Sequence, residues 1–326
     1  MATSTSTAPT AAEPPLPACP ITGEPAAERV EAVSAKLLTD LWRFGAGVAP
    51  TPLHAGSGPL GLYRSPCGLR FFHPAIPGDA AFYGAFYRRH RAMRQFSAHA
   101  AERGDFRAAA ALVRPGDRVL DVGCGDGAFA ALVPQAAYQG LDLHPLRRPG
   151  GPPILAETVE AHAGRHPAAY DLVAGFQVLE HVADPLGLAR AMLRCVRPGG
   201  LLVAAMPLHP SPLDAFPNNL LNLPPHHLSW WTEEACAALC RALGAEPVRI
   251  GPVPSSAMHA RMQWMARLCP LPRPGRPGQA HVRRGWGNQA AVYLGFQAAG
   301  LLAAVAGLPR NAAPIDVVLV ARNPAR

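Results

Sequence analysis

Short apolar runs alternate with helical stretches through most of the chain after residue 117. Apolar runs bounded by Gly, Pro or Asp predict strands, whereas apolar positions spaced three and four residues apart predict helices. Strands are expected at 118–122, 138–143, 153–156, 170–176, 201–206, 247–250 and 315–321, with helices at 127–133, 185–196 and 232–243. This alternation predicts an α/β fold with a doubly wound, mostly parallel sheet.

The first part of the chain has a different character. Residues 1–17 are mainly Ala, Thr, Ser and Pro, a composition that predicts a disordered tail. Residues 18–75 are expected to form a small N-terminal module, in which turns at ACPITGEP and YRSPCGLRFFHP flank a helix over 30–44.

The remaining residues, 76–326, are expected to form one domain that contains the sheet. Its first segment, 79–113, predicts two helices separated at Gly104. The first of these helices carries several aromatic residues and Met93 at helical spacing.

An insertion over 252–313 precedes the last predicted strand and predicts two helices, at 257–268 and 289–308. We expect it to form a lid over a substrate, because such insertions usually carry specificity. Residues 290–308 are nearly long enough to cross a bilayer, but Gln297 and a high Ala and Gly content make them a poor span. We expect a buried accessory helix; peripheral membrane contact, suggested by flanking arginines, is the less favoured alternative.

Charge and cysteine content narrow the classes of protein. The formal charge is +8, but only one residue is lysine and the arginines are scattered, so we expect no nucleic-acid partner. The seven cysteines follow no regular spacing, and the N-terminus lacks the basic and apolar pattern of a secretory signal. These features predict a cytoplasmic protein with reduced thiols.

Closely spaced glycines follow the first strand of the predicted sheet, in the run VLDVGCGDG at 119–127. Glycine at Gly123 and Gly125 lets the backbone turn sharply and a ligand approach it, a pattern that also suits dinucleotides. Asp121 would repel a pyrophosphate but attract the ammonium and sulfonium charges of S-adenosylmethionine. Asp142, at the end of the second strand, can accept both ribose hydroxyls of an adenosine.

Four sequence blocks, in this order, resemble class I S-adenosylmethionine-dependent methyltransferases. They are VLDVGCGDG at 119–127, GLDLHP at 140–145, YDLVAGFQVLEHVADP at 170–185 and VRPGGLLVAAMP at 196–207. The resemblance, which is to the ubiquinone-type group in particular, covers about residues 80–251 plus the last strand. It implies a Rossmann-like seven-stranded sheet with an antiparallel last strand, and S-adenosylmethionine as the cofactor.

The resemblance also implies cofactor contacts at one edge of this sheet. The implied residues on the strand ends and the loops after them are Asp121, Gly123, Cys124, Gly125, Asp142, Leu143, Glu157, Phe176 and Gln177. Among these, Glu157 is expected near the adenine. Tyr87 is similar to the tyrosines with which some relatives close over the methionine end of the cofactor, although an aromatic stripe that includes Tyr83 would equally suit a core.

Methyl transfer from a sulfonium mainly requires an acceptor held in line with the methyl group and shielded from water. A hydroxyl acceptor also benefits from a base, and histidine suits neutral pH. His226 and His227, in NNLLNLPPHHLSWWT, are our leading candidates, because relatives place acceptor-facing residues after the fifth strand. The alternative is that both histidines fix a loop or pack on Trp230 and Trp231. His181, after the fourth strand, is a third candidate for the catalytic site.

Some quinone O-methyltransferases similar to this chain bind a divalent metal through two glutamates and a histidine after the fourth strand. Here Gln177 stands in place of the first glutamate, followed by Glu180 and His181. A neutral amide is a weak ligand for a hard cation, so we predict no catalytic metal.

The two turns of the N-terminal module, CPITG and YRSPCGL, resemble the halves of a zinc ribbon that precedes some methyltransferase domains. Thr22 and Ser65 occupy expected ligand positions. The two remaining thiolates are too few for a closed structural zinc site unless His54 or His73 contributes. We therefore expect a degenerate, metal-free ribbon.

The leading hypothesis is O-methylation of a small-molecule acceptor, for which sugar-derived and lipid-linked compounds are candidates. The ribbon-like segment also suggests a relative of sugar C-methyltransferases, although the additional large C-terminal domain expected there is missing. A third hypothesis, a non-catalytic cofactor-binding or membrane-docking partner, is disfavoured by the intact loop around Asp121.

Overall fold

The structure is a computed structural model, and it describes residues 15–50, 53, 60–89, 99–146 and 149–324. Most of the predicted disordered tail lies outside the described residues, as do Met93 and His54.

The described chain contains the following elements. The strands are β1 (Glu28–Val33), β2 (Leu60–Arg64), β3 (Arg70–His73), β4 (Arg118–Val122), β5 (Ala137–Leu141), β6 (Ile154–Leu155), β7 (Tyr170–Phe176), β8 (Val196–Pro207), β9 (Ser229–Trp230), β10 (Glu246–Val253) and β11 (Asp316–Arg322). The helices are α1 (Ala35–Leu41), α2 (Ala80–Arg89), α3 (Gly104–Ala110), α4 (Val159–Arg165), α5 (Pro185–Cys195), α6 (Glu233–Leu243), α7 (Ala260–Leu268) and α8 (Trp286–Ala306).

Seven of the strands form one sheet in the order β10-β11-β8-β7-β4-β5-β6. The pairs from β8 across to β6 are parallel, whereas β11 runs antiparallel to both β8 and β10. The predicted Rossmann-like α/β fold with an antiparallel last strand is therefore confirmed. Strands β4 and β7 begin and end at the residues that the sequence predicts.

Both faces of this sheet are covered, which explains the continuous apolar runs in its central strands. Successive residues of β4 point to opposite faces: Val119 packs in a core cluster with Phe129, and Leu120 in another with Met192. The carboxyl ends of the parallel strands meet at one edge, where open α/β sheets bind ligands.

The helix predicted over 127–133 is only a short 3-10 helix, Ala128–Leu132. It follows Gly127, which has a left-handed backbone and offers no side-chain cap, and Pro134 follows closely after it. The sequence did not predict α4, whose N-cap is Thr158.

The N-terminal module contains a strand where the sequence predicts part of a helix. The predicted helix over 30–44 is wrong in its first residues, because β1 extends to Val33 and α1 begins only after the cap residue Ser34. Helix α1 continues through a π-helical turn, Trp42–Ala46. The antiparallel pairing of β1 with β2 is a long-range contact, which local periodicity does not reveal.

The module is joined to the rest of the chain by a shared sheet with the order β1-β2-β3-β9. Arg70 of β3 pairs with Trp230 of β9, and the amide of Phe72 donates to the carbonyl of Leu228 at 2.9 Å. The predicted domain boundary at residue 75 therefore separates strands that pair within one continuous sheet.

Both predicted turns of the degenerate ribbon are present in the module. They place Cys19 Sγ 3.9 Å from Cys67 Sγ, with Ser65 Oγ 3.3 Å from the latter. Thr22 Oγ1 instead accepts a hydrogen bond from the Glu24 amide. No third histidine, cysteine or carboxylate joins the two thiols within the part of the chain that the structure describes. Loss of the metal stays a prediction.

The insertion folds into α7 and α8, close to the predicted ranges. A small apolar cluster that includes Met265 and Ala299 joins the two helices. The rest of α8 is largely exposed, with Leu301 71% and Val305 87% accessible, so the prediction of a buried accessory helix is wrong. By length and composition, α8 is the one helix among the described residues that could cross a membrane.

Candidate active site

A cavity of about 2510 Å³ opens at the carboxyl ends of β4, β5 and β7. Its walls come from the loops after these strands, from α2, from the segment before β9 and from both helices of the insertion. Pockets for one small molecule usually measure about 300–1,000 Å³. This cavity can therefore hold a nucleotide-sized ligand and a second molecule.

The glycine loop after β4 forms one wall of the cavity. Gly123 has a φ of +71°, and a Cβ there would lie 2.6 Å from Val178 Cγ2, so a side chain would clash. Gly125 has a φ of +59° and open space around the position of a Cβ. Gly123, Cys124 and Gly125 all line the cavity, and their contact with the cofactor stays a prediction.

Asp142 lies beside this loop at the end of β5. Its Oδ2 accepts a hydrogen bond from the Gly125 amide at 2.8 Å, and its Oδ1 accepts one from the His144 amide at 2.7 Å. The carboxylate is half-buried and lines the cavity together with the exposed side chain of Leu143. A carboxylate oxygen has more than one lone pair, so both oxygens can still accept ribose hydroxyls.

Asp121 does not line the cavity, contrary to the contact that the sequence suggests. Its carboxylate is buried and accepts a hydrogen bond from the Tyr138 hydroxyl at 2.8 Å. Burial raises the pKa of Asp121 from 3.8 to about 7, against the opposing effect of Tyr138. Asp121 can therefore attract a bound cation only through space, across the end of β4, and not by direct contact.

The raised pKa of Asp121 predicts a pH-dependent stability. A carboxyl group whose pKa is higher in the folded state contributes stability at low pH that is lost as the pH rises through the folded value. Relative to Asp121→Asn, which mimics the protonated group, the wild type should lose stability between about pH 4 and pH 7. Denaturant unfolding of both proteins across this range measures the difference, and a constant difference would contradict it.

Glu157 follows β6 and lines the cavity at the side where the adenine is expected. Its Oε1 lies 2.6 Å from His162 Nδ1, and its Oε2 accepts from Arg165. These contacts, both with residues of α4, hold the carboxylate in place.

Phe176 ends β7, Gln177 follows it, and both line the cavity; their contact with the cofactor stays a prediction. Phe176 packs against Phe106, with ring centroids 4.6 Å apart. Gln177 has a φ of +59°, a strained backbone for a non-glycine residue, and its Nε2 donates to Asp316 Oδ1 at 3.2 Å.

Two tyrosines of α2 form another part of the cavity wall. Tyr87 lines the cavity and stacks on Tyr83, with ring centroids 6.1 Å apart. Burial raises the pKa of both phenols, so they stay neutral. The Tyr83 hydroxyl lies 3.4 Å from His181 Nδ1, which connects this wall to the predicted catalytic residues.

All three predicted catalytic histidines come together at the cavity wall. The ring centroid of His181 lies 4.6 Å from that of His226 and 4.8 Å from that of His227. His226 also contacts the rings of Trp42 and Phe86. Trp230 and Trp231, the partners expected in the loop-fixing alternative, have no ring contact with these histidines among the described residues.

Hydrogen bonds assign the ring protons of two of these histidines. His181 Nδ1 lies 2.5 Å from the carbonyl oxygen of His226, which can only accept, so Nδ1 carries the proton. His227 Nδ1 faces Asn222 Oδ1, which is also an acceptor, at 3.1 Å, so this Nδ1 likewise carries the proton. The Nε2 atoms of His181 and His227 therefore carry free lone pairs.

Both lone pairs face Glu180, which is fully buried. Glu180 Oε1 lies 3.8 Å from His181 Nε2 and 4.0 Å from His227 Nε2, and neither carboxyl oxygen has a hydrogen-bond partner among the described residues. The Nε2 atoms of His181 and His227 and the carboxyl group of Glu180 are thus three acceptors that face one another without a donor. Burying unpaired acceptors costs free energy, and a proton or a cation among them would lower that cost.

Burial sets the charge state of this group. It lowers the pKa of His181 to about 4 and those of His226 and His227 well below their usual range. It raises the pKa of Glu180 well above its usual range. At neutral pH the three imidazoles are therefore uncharged, and burial favours the protonated form of the Glu180 carboxyl group.

The ligating atoms of the three histidines lie within 4.8 Å of one another, close enough to hold a metal ion after small side-chain movements. Neutral imidazoles suit zinc and similar transition metals better than hard cations. The predicted absence of a catalytic metal rested on Gln177 and did not consider this set; it stays a prediction.

A second polar group at the cavity was missed by the sequence analysis. Asp316, at the start of β11, is buried, and its Oδ2 lies 3.4 Å from His259 Nε2. Burial raises the pKa of Asp316 to about 7. The one signal in the sequence is a lone acid before the apolar run VVLVA, but its proximity to Gln177 depends on the sheet order.

The seven-stranded sheet with its antiparallel last strand and the glycine loop after β4 are typical of the class I S-adenosylmethionine-dependent methyltransferase domain. A family model described as "Methyltransferase domain" matches residues 87–250, which is half of the chain. The chain belongs to this methyltransferase family, and its cofactor is S-adenosylmethionine.

The curated relatives include ubiquinone biosynthesis O-methyltransferases. That of Klebsiella pneumoniae (strain 342) is 41% identical over 97 residues, covering 26% of this chain and 40% of the relative. That of Escherichia coli O9:H4 (strain HS) is 40% identical over 97 residues, with the same coverage. The match thus spans about two fifths of the length of these relatives.

Solved structures of similar fold include a SAM-dependent methyltransferase from Archaeoglobus fulgidus. It has a TM-score of 0.46 and 16% identity, and the alignment covers 74% of this chain and 99% of that one.

Proposed function

We propose that this chain transfers a methyl group from S-adenosylmethionine to a hydroxyl oxygen of a small-molecule acceptor. The observation that carries the proposal is the cluster of three neutral histidines, which lines the same cavity as the glycine loop and Asp142. A neutral imidazole can accept the proton that a hydroxyl loses when its oxygen is methylated. The relatives named as O-methyltransferases support the choice of oxygen.

The residues at the strand ends fit the cofactor. Asp142 would accept the ribose hydroxyls, and the open space at Gly125 allows a ligand to approach the backbone. When bound, S-adenosylmethionine supplies a methyl group on a sulfonium, whose departure as a thioether needs no acid catalyst.

The chain itself would position the acceptor and remove its proton. The half-buried rings of Tyr83 and Tyr87 shield this part of the cavity from water. The neutral imidazoles of His181, His226 and His227, which line the cavity, are the groups that would take the hydroxyl proton. Burial disfavours a negative charge on Glu180 beside them.

A lipid-linked acceptor fits the remaining space better than a sugar. Away from the histidines, the cavity wall contains Phe44, Trp286, Tyr293 and Phe296, which favour an apolar chain over a hydroxyl-rich ring. A location in the cytoplasm remains part of this proposal.

Binding of the cofactor should raise the melting temperature. At a ligand concentration of about one hundred times Kd, stabilisation of about 2.7 kcal/mol should raise Tm by roughly 5 °C. Differential scanning fluorimetry measures the shift, with NAD at the same concentration as the control for the dinucleotide alternative. No shift with S-adenosylmethionine, or an equal shift with NAD, would refute the proposal.

Removal of metal should leave the transfer rate unchanged, because a neutral imidazole can accept the hydroxyl proton without an ion. The test compares untreated and chelator-dialysed protein, with metal content measured by elemental analysis. Stoichiometric zinc whose removal abolishes transfer would instead assign the three histidines as ligands and exclude them as bases.

A further inference from the structure

The helix α8 exposes an apolar surface along its whole length. Eleven of its 21 residues are exposed, and only Trp286, Tyr293 and Gln297 among them carry a polar side-chain group. The large exposed residues, given as accessible fractions, are Trp286 78%, Tyr293 63%, Leu294 65%, Leu301 71% and Val305 87%. Water-facing helices normally carry charged residues on such a face.

The same surface continues onto the N-terminal module. Phe44, in the π-helical turn after α1, is 68% exposed, and its ring centroid lies 6.0 Å from that of Trp286. Elements from both ends of the chain therefore contribute to one apolar surface, which is typical of an interaction site rather than of scattered exposed residues. We call α8 together with Phe44 the apolar face.

The insertion that contains α8 carries only positive formal charge. The insertion over 252–313 contains seven arginines and no Asp or Glu. Because the formal charge of the entire chain is +8, the rest of the chain is nearly neutral. None of the seven arginines forms an ion pair with any residue that the structure describes.

These charges are distributed along the helix. Arg284 lies just before its first residue. Arg261 donates to the Phe296 carbonyl near the middle, at 3.1 Å, and Arg267 donates to the Asn311 carbonyl beyond the end, at 2.8 Å. Arg310, also beyond the end, is exposed.

One side of α8 remains attached to the protein. Met265 of α7 packs against Ala299, and a Cβ at Gly295 would lie 3.0 Å from Met265 Sδ. The Trp264 indole donates to the Gly307 carbonyl at 2.9 Å. A helix anchored in this way can rest its free side on a bilayer surface but does not have to leave the fold and span it.

We propose that the apolar face docks on a bilayer that contains anionic lipids. Apolar side chains would enter the headgroup region, and the unpaired arginines would contact the lipid phosphates. A second copy of this chain is a poorer occupant, because it would bring two sets of uncompensated arginines together. Since Phe44, Trp286 and Tyr293 also line the cavity, docking would place its mouth at the membrane.

The test is co-flotation of the full chain with vesicles, which does not require methyl transfer and so is independent of the proposed function. We expect binding to vesicles of phosphatidylcholine with 30% phosphatidylglycerol, weak binding to phosphatidylcholine alone, and release at high salt. Trp286 is the one highly exposed tryptophan among the five, so its emission should shift to the blue on binding and Trp286→Phe should remove most of the shift.

Matched variants separate the electrostatic contribution of the arginines from the apolar contribution of α8. Arg284→Gln with Arg310→Gln should weaken partitioning roughly thirtyfold, as about 1 kcal/mol for each arginine implies. Leu301→Gln with Val305→Gln should weaken it at least tenfold through lost apolar burial. Val248→Gln with Arg249→Gln, exposed positions on β10 outside the insertion, should leave it unchanged.

Several results would overturn the proposal. They are the absence of binding to anionic vesicles at moderate salt, equal weakening by the β10 control, and a dimer in sedimentation that Leu301→Gln dissociates. The last of these would assign the apolar face to self-association.

Discussion

Asp142→Asn is expected to weaken S-adenosylmethionine binding at least thirtyfold. The carboxylate accepts a hydrogen bond from the Gly125 amide and lines the cavity, where it can accept the ribose hydroxyls. Hydrogen bonds to a charged group contribute about 1.5–3 kcal/mol each, and the amide retains one acceptor but loses the charge. Isothermal titration calorimetry with the cofactor measures the change directly.

A control must separate this effect from the loss of a structural hydrogen bond. Asp184 is suitable, because its Oδ1 accepts from the Gly187 amide at 2.8 Å but its side chain does not line the cavity. Asp184→Asn should leave the cofactor Kd unchanged. Equal Kd values for wild type and Asp142→Asn would remove Asp142 from the cofactor site.

Substitution of the clustered histidines should slow methyl transfer while leaving cofactor affinity intact. Loss of a general base typically costs about 10²- to 10⁴-fold in rate, and we expect this for His227→Gln and His181→Gln, with a similar loss for His226→Gln. The measurement is transfer of labelled methyl to an alkyl-chain phenol as the probe acceptor, in single-turnover mode. His281→Gln, a buried histidine that pairs with Glu31 away from the cavity, is the control.

The pH profile provides a second test of the base. Because burial lowers the pKa of His181 to about 4, this ring stays unprotonated at neutral pH. The transfer rate should therefore stay level from pH 8 down to about 5 and fall only near pH 4. A rate that already halves near pH 6.5 would point to an ordinary, solvated histidine.

The central sheet was predictable because its information is local. Strands such as β4 and β7 are apolar runs bounded by polar or glycine residues, and burial on both faces makes such runs continuous. The glycine loop and Asp142 were predictable for a related reason, since their chemistry depends on neighbours close in sequence. His181, His226 and His227 were each chosen for chemistry, and the fold brings them together.

The remaining features depend on contacts between distant segments. The segment over 28–33 has the spacing of a helix, but its pairing with β2 makes it a strand. Glu180 was noted in the sequence, but no local pattern indicates that both its oxygens are buried without a partner among the described residues. Helix α8 was expected to be buried because it is apolar. An apolar sequence indicates only that the helix avoids water; it does not indicate whether the helix packs against protein or against lipid.

The short strand β9 links two parts of the protein that a sequence-based boundary would separate. It lies two residues after His227 and pairs with β3 of the N-terminal module, while the Trp42 indole donates to the Pro224 carbonyl at 2.7 Å. The module thus braces the segment that carries two of the three histidines. A chain shortened to the conventional methyltransferase domain would keep the glycine loop and Asp142 but would release this segment. It should therefore still bind the methyl donor but no longer transfer the methyl group to an acceptor.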